Sequence, residues 1–180
     1  RLVDQVQELE RLRDETLVAK ALRERLVKFY YLTPEEQEMV LMEGDASRYF
    51  QAKARALEQY EAADAASLSA RSNRDVAGVL RNQARAAEQE ARDGRLTATE
   101  AVDRAAKLDL RAAALEQKAD SLETIASRLR GAAGINESQA GVMLQGMPPQ
   151  RSSELMAIEQ RVRRTEPLLA ESRNEAAPQR

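Results

Sequence analysis

The sequence predicts an all-α protein: an elongated antiparallel coiled-coil hairpin with an additional N-terminal helix and short C-terminal helices. The first observation is a ladder of alanines spaced seven apart, at Ala56, Ala63, Ala70, Ala77, Ala84 and Ala91. A second ladder, Ala98, Ala105, Ala112, Ala119, Ala126 and Ala133, mirrors it about Gly94 and Arg95. Each mirrored pair lies equally far from one turn, as two antiparallel helices in one coiled coil require. The second observation is the row three residues beyond the second ladder, Ala101, Leu108, Leu115, Leu122 and Leu129, mirrored by Ala87, Leu80, Asn73, Ala66 and Gln59. The alanines then read as a positions of a heptad and this row as d.

The third observation is charge. In antiparallel coils e lies beside e and g beside g. The e residues Arg81 and Arg74 fall opposite Asp109 and Glu116, and the g residue Glu90 falls near Arg104. Opposite signs meet, which a parallel pairing of either helix with itself would not produce. Alanine at a lets the two backbones approach toward the near end of the usual helix separation. Asn73 at d reads either as a buried amide fixing register or as a side chain turned to water.

Residues 1 to about 32 carry Leu2, Val6, Leu9 and Leu12, then Leu22, Leu26 and Phe29, on a drifting apolar stripe with Thr16 and Ala19 as its weak middle. Thr33-Pro34-Glu35-Glu36 has the form of a helix start, with threonine as N-cap, proline at the first helical position and glutamate closing a capping box. That short helix stops near Gly44, and Asp45 is placed to cap the first arm. The arm runs to about Arg92, some ~70 Å at 1.5 Å per residue, with Gly78 costing about 1 kcal/mol of helix propensity. Beside the ladder it carries Ala62, Ala65, Ser69, Ser72, Val76, Val79 and Ala86 at alternating steps of 3 and 4. A helix with two seams has two neighbours; helix 1 or the final helix fits the second seam, and helix 1, the longer, is the expected one.

Asp93-Gly94 breaks the arm, and Thr97-Ala98-Thr99-Glu100 opens the next with another capping box. The second arm is expected to end near Arg130, with Gly131 and Gly134 as terminators and Asn136 as a new N-cap. A short helix to Gly146-Met147-Pro148-Pro149 and another over 152–166, ended by Pro167, complete the pattern. The expected organisation is a single domain over 1–172, with the hairpin at 45–133 and its turn near 93–97. A disordered tail is expected over 173–180.

Composition narrows function. Of 180 residues 43% are hydrophobic, largely alanine, and only 3% are aromatic, so a thick globular core is not expected. The net charge of −2 and the absence of aromatics interleaved with Lys or Arg give a nucleic-acid surface little support. The short basic run Arg161, Arg163 and Arg164 reads as a solvated helix face. Histidine and cysteine are absent, which removes the ordinary general base at neutral pH, the Ser-His and Cys-His nucleophile pairs and the Cys/His zinc sites. No phosphate-cradling loop is present, and Glu35, Glu36 and Glu38 sit in a first helical turn where the helix dipole accounts for them. The expectation is a protein that is not an enzyme, with no cofactor and no metal.

Protein partners are expected instead, a second copy of the chain among them. Met143, Met147 and Met156 cluster about the Pro-Pro kink, and Tyr49 and Phe50 lie toward the same end, away from Gly94. Flexible methionine and aromatic surfaces suit docking, so these five are the candidate partner-binding residues, with packing at the hairpin base as their structural alternative.

The run Ser138-Gln139-Ala140, then Glu154-Leu155, Glu159-Gln160 and Leu168-Leu169-Ala170, resembles the final helical region of the minor-pilin subunits of type IV secretion systems. The long helices before it also look like those subunits. The resemblance implies a secreted, mostly helical protein of pilus assembly or host contact, acting without catalysis in the periplasm or cell envelope. The hairpin is also similar to the phage-shock family, whose members polymerise and remodel membranes. An amphipathic N-terminal helix is expected there, whereas helix 1 here is charged all round. A third alternative is the coiled-coil spacer of a membrane-anchored assembly factor, with the cytoplasm as the alternative compartment. Because the chain starts at Arg1 rather than methionine, an upstream signal peptide, anchor or further domain is expected.

Overall fold

A computed structural model describes residues 2–41 and 44–163, apart from the side chains of residues 15, 16, 18 and 19. The fold is all-α. Helices α1 (Leu2–Phe29), α2 (Pro34–Leu41), α3 (Asp45–Arg92), α4 (Ala98–Gln145) and α5 (Pro149–Glu159) follow one another along the chain. Contacts divide the chain into two compact units, 59–132 and the remainder, 1–58 with 133–180. The expected tail over 173–180 and Arg164 of the basic run lie outside the described residues, and the last helix, expected over 152–166, instead runs from Pro149 to Glu159, since the chain leaves the helix at Gln160 to form the bridge at Val162.

The unit 59–132 is the tip of the hairpin. Its seam is the alanine ladder: Ala63, Ala70, Ala77 and Ala84 of α3 and Ala105, Ala112, Ala119 and Ala126 of α4 are all buried. Ala77, Leu80 and Ala112 form the centre, with Leu108 and Leu115 packed against them. Asn73 at d is half-buried. Methyl-sized contacts leave little core to hide, so the unit depends on close backbone approach and on the helices' own hydrogen bonds.

The turn is specified at both ends. The Gly94 N–H donates to the Ala91 carbonyl (3.2 Å) and the Arg95 N–H to the Glu90 carbonyl (2.9 Å), the paired bonds of a Schellman cap. Gly94 takes φ +76°, a conformation that costs glycine nothing and other residues about 1 kcal/mol or more. The Glu100 N–H donates to Thr97 Oγ1 at 3.2 Å, starting α4.

Ion pairs flank the seam as an antiparallel register demands. Arg81 reaches Asp109 (3.4 Å) and Glu116 (2.8 Å), and Arg104 reaches Glu90 (3.6 Å). One assignment is corrected: Arg74 meets Asp120 (3.1 Å) and Glu123 (3.2 Å), not Glu116, which Arg81 holds with two nitrogens. The cause is helix geometry. Side chains lean toward the N-terminus of their own helix, so arginines on α3 and carboxylates on α4 lean toward each other one turn beyond the mirrored position. Arg130 with Asp64 (3.4 Å) follows the same rule.

The other unit holds the bulkier core. Leu22, Leu26, Phe29 and Tyr30 from α1 and its end, Val40 from α2, Tyr49 and Phe50 from α3, Met147, and Leu155 and Ile158 from α5 are buried together. Tyr30 and Tyr49 each meet Phe50 edge to face, at 5.6 and 5.2 Å between ring centroids. Ala46, Ser47, Tyr49, Phe50, Ala52 and Ala54 are all buried, so α3 is enclosed on nearly every side here. Beyond α1, Tyr30 and Val162 form an antiparallel bridge, with the Tyr31 N–H donating to the Arg161 carbonyl and the Arg163 N–H to the Phe29 carbonyl. No β-strand occurs among the described residues.

Three further expectations are corrected. α4 does not stop near Arg130 but runs through Gly131, Gly134 and Asn136 to Gln145. The a positions continue, with Ala133 and Ala140 buried and then Met147, and this packing outweighs the glycines' weak propensity. α3 has Gly44 rather than Asp45 as its N-cap, since the Gly44 carbonyl accepts the first helical bond, from the Arg48 N–H. The second stripe of α3 stays exposed, Val76 and Val79 included, while α1 commits Leu22, Leu26 and Phe29 to the bulky core.

Candidate interaction surface

The five candidate partner-binding residues separate by burial. Tyr49, Phe50 and Met147 lie in the core, and Met143 packs against it half-buried. Their apolar surface is used within the chain. Met156, on α5, is half exposed. The Pro-Pro kink gathers these groups because Pro148 caps α5 and the Ser152 hydroxyl donates to the Leu144 carbonyl (2.9 Å) near the end of α4.

Among the apolar residues sits one polar cluster. The Tyr30 hydroxyl donates to Glu159 Oε1 at 2.8 Å, and Lys53 lies 3.8 Å from the other Glu159 oxygen and 3.9 Å from Glu137. Burial first, and the Glu159 carboxylate second, push the pKa of both Tyr30 and Tyr49 well above the ordinary tyrosine value. Both phenols therefore keep their protons and act as donors. The cluster ties the end of α1 to α3, α4 and α5.

A shallow cleft of about 310 Å³ lies beside it, lined by Glu35, Glu36, Met39, Glu154, Ala157, Ile158 and Arg161. Thr33 and Glu36 form the expected capping box of α2, Thr33 Oγ1 accepting from the Glu36 N–H at 3.2 Å and Glu36 Oε2 from the Thr33 N–H at 3.4 Å. The other Glu36 oxygen accepts from Arg161, which also donates to the Tyr31 carbonyl (3.0 Å). Arg163 stacks over the Tyr31 ring at 4.0 Å. Arg161 and Arg163 of the basic run thus work within the chain, at the segment after α5.

The surface the sequence did not single out is α1 itself. Leu2 (78% exposed), Val6, Leu9 (66%), Leu12 and Leu17 run along its N-terminal half at steps of three to five residues, with Val3 beside them. Their spacing marked a helix needing a partner, but periodicity cannot say whether that partner lies in the same chain. Isolated exposed leucines are ordinary; a row of them, here broken by Arg13 between Leu9 and Leu17, is the usual mark of a contact surface.

A second exposed face belongs to the tip unit. On the g and c side of α3 lie Ala62, Ala65, Ser69, Ser72, Val76 and Val79, all exposed except the helix's own seam beneath them. On the same side of α4 the g and c positions include Glu100, Arg104, Lys107, Arg111, Ala114, Lys118, Ser121, Ile125 and Arg128. Among the described residues no three acidic, histidine or cysteine groups are placed to hold a metal ion, and no helix is long and apolar enough to cross a membrane. No family model, curated protein or solved structure matches this chain.

Proposed function

We propose that this chain is a helical scaffold and assembly protein that acts by binding other proteins rather than by catalysis, in the setting of a type IV secretion or conjugation apparatus in the cell envelope. The observation that carries the scaffold is the exposed leucine and valine row of α1, large apolar side chains left open to solvent along the N-terminal half of the helix. Within the tip unit the buried alanine row holds α3 and α4 together without a thick core, which leaves the outer helix faces available for partners. The secretion setting rests on the resemblance of Ser138–Ala140, Glu154–Leu155 and Glu159–Gln160 to the minor-pilin subunits.

The test is a photo-crosslinking residue placed at Leu9 in the full chain, in its native cells, with the same residue at exposed Arg85 as control. A discrete adduct at position 9, identified by mass spectrometry as an envelope protein or a second copy of the chain, is the expected result. Absence of any adduct at position 9, or equal labelling at both positions, refutes the scaffold. An adduct together with fractionation into the cytoplasm refutes the secretion setting alone.

A further inference from the structure

We infer that the exposed face of α1 docks on the g and c face of the hairpin tip of a second copy of this chain. The inference rests on the scaffold reading and names its partner. Three observations carry it.

The first is charge. The two sides of the tip differ: on the e side, Arg74, Arg81 and Arg130 already meet carboxylates across the seam. On the g and c side α4 presents five cations. Arg104 is paired with Glu90 and Lys107 with Asp103, whereas Arg111, Lys118 and Arg128 are exposed and have no ion pair among the described residues. The α1 segment 2–17 has the opposite balance, with Asp4, Glu8, Glu10, Asp14 and Glu15 against Arg11 and Arg13. On the helical wheel Arg13 lies within the leucine row, while Glu10 and Asp14 border it along one edge, where they meet a basic rim once that row is seated.

The second is shape. The α1 row is made of large side chains, Leu2, Val6 and Leu9. The α3 row is made of small ones, Ala62, Ala65, Ser69 and Ser72, with Val76 and Val79 exposed at the end nearer Gly94 and Ile125 of α4 exposed opposite Ala65 and Ser69. Large residues seat in a shallow small-residue trough, as knobs do in holes. The third is length: at 1.5 Å per residue the α1 segment is about 24 Å long and the stretch from Ala62 to Val79 about 26 Å. The acidic helix also argues against an anionic membrane as the occupant.

Sedimentation velocity on the full chain tests the contact. Wild type is expected to associate, and L9D and V76D are each expected to sediment as monomers with unchanged helical circular dichroism. The reversal R111E/K118E is expected to weaken association about tenfold, and adding E10K/D14K to restore it. A monomeric wild type overturns the inference, as does V76D that leaves association intact while L9D abolishes it, which would place α1 on some other surface. Leu9-dependent cosedimentation with anionic phospholipid vesicles, without self-association, overturns it in favour of a membrane. A monomer in solution that still gives a discrete adduct to another protein at position 9 in cells removes this inference and leaves the scaffold standing. Loss of both removes the two together.

Discussion

Replacing Ala112 with leucine tests whether the seam depends on methyl-sized contacts. Ala112 is wholly buried and faces Ala77, with Leu80, Leu108 and Leu115 around it. Leucine adds three carbons, and burying them in a waiting cavity would contribute about 2.4 kcal/mol at about 0.8 kcal/mol per methylene-sized group. A close-packed seam has no such cavity, so the helices must move apart toward the far end of the usual separation of about 8 to 10 Å and lose dispersion contacts on both sides of the substitution. Overpacking of this kind costs about 1 to 3 kcal/mol net. For a chain of this size about 2 kcal/mol lowers the midpoint of thermal unfolding by roughly 4 to 8 °C. Ala113, the exposed neighbour, is the control. Circular dichroism melts of A112L and A113L should differ by that amount. Equal melting temperatures would refute the tight seam, and A77L should repeat the A112L result, the double variant being non-additive because the two sites touch.

Three further outcomes follow from the structure. Gly131 and Gly134 lie inside α4 with open space where a side chain would go, so G131A and G134A should each raise stability by about 0.5 to 1 kcal/mol in denaturant titrations. Y30F removes the donor to Glu159 and should destabilise by about 1 to 2 kcal/mol, because the half-buried carboxylate loses a partner it held in place of water. The folded pKa values of Tyr30 and Tyr49 are raised, so their neutral forms favour the fold below the ordinary tyrosine value of about 10, and stability should fall as pH rises beyond it. Glu116 has the opposite sign: Arg81 holds its pKa below the ordinary value, so its contribution is present above that value and disappears on acidification. In R81M its carboxyl should titrate at higher pH by nuclear magnetic resonance.

The hairpin was legible because its instruction is repeated. Every seventh residue from Ala56 onward says the same thing, and the mirrored copy fixes direction as well as existence. The miss at Gly131 has a simple energetic cause. A glycine weakens a helix by about 1 kcal/mol, but Ala133, Ala140 and Met147 continue the buried row, and the row decides. Side-chain lean moved the partner of Arg74 by a turn, an effect absent from one-letter spacing. The pairing of Tyr30 with Val162 was invisible for a different reason: it is made of backbone groups, which every residue possesses. The candidate surface was half readable. Leu2, Val6 and Leu9 announced an apolar face, and only the coordinates show that the described chain leaves it open.

That backbone bridge sets the order in which the molecule assembles. The tip can zip from Gly94 outward, each rung closing a loop only slightly longer than the last, which is fast and local. The bridge joins residues 30 and 162, with the whole hairpin strung between them. It cannot close early at low entropic cost. The clasp of Tyr30, Tyr31 and Arg161 is therefore the buckle expected to fasten last.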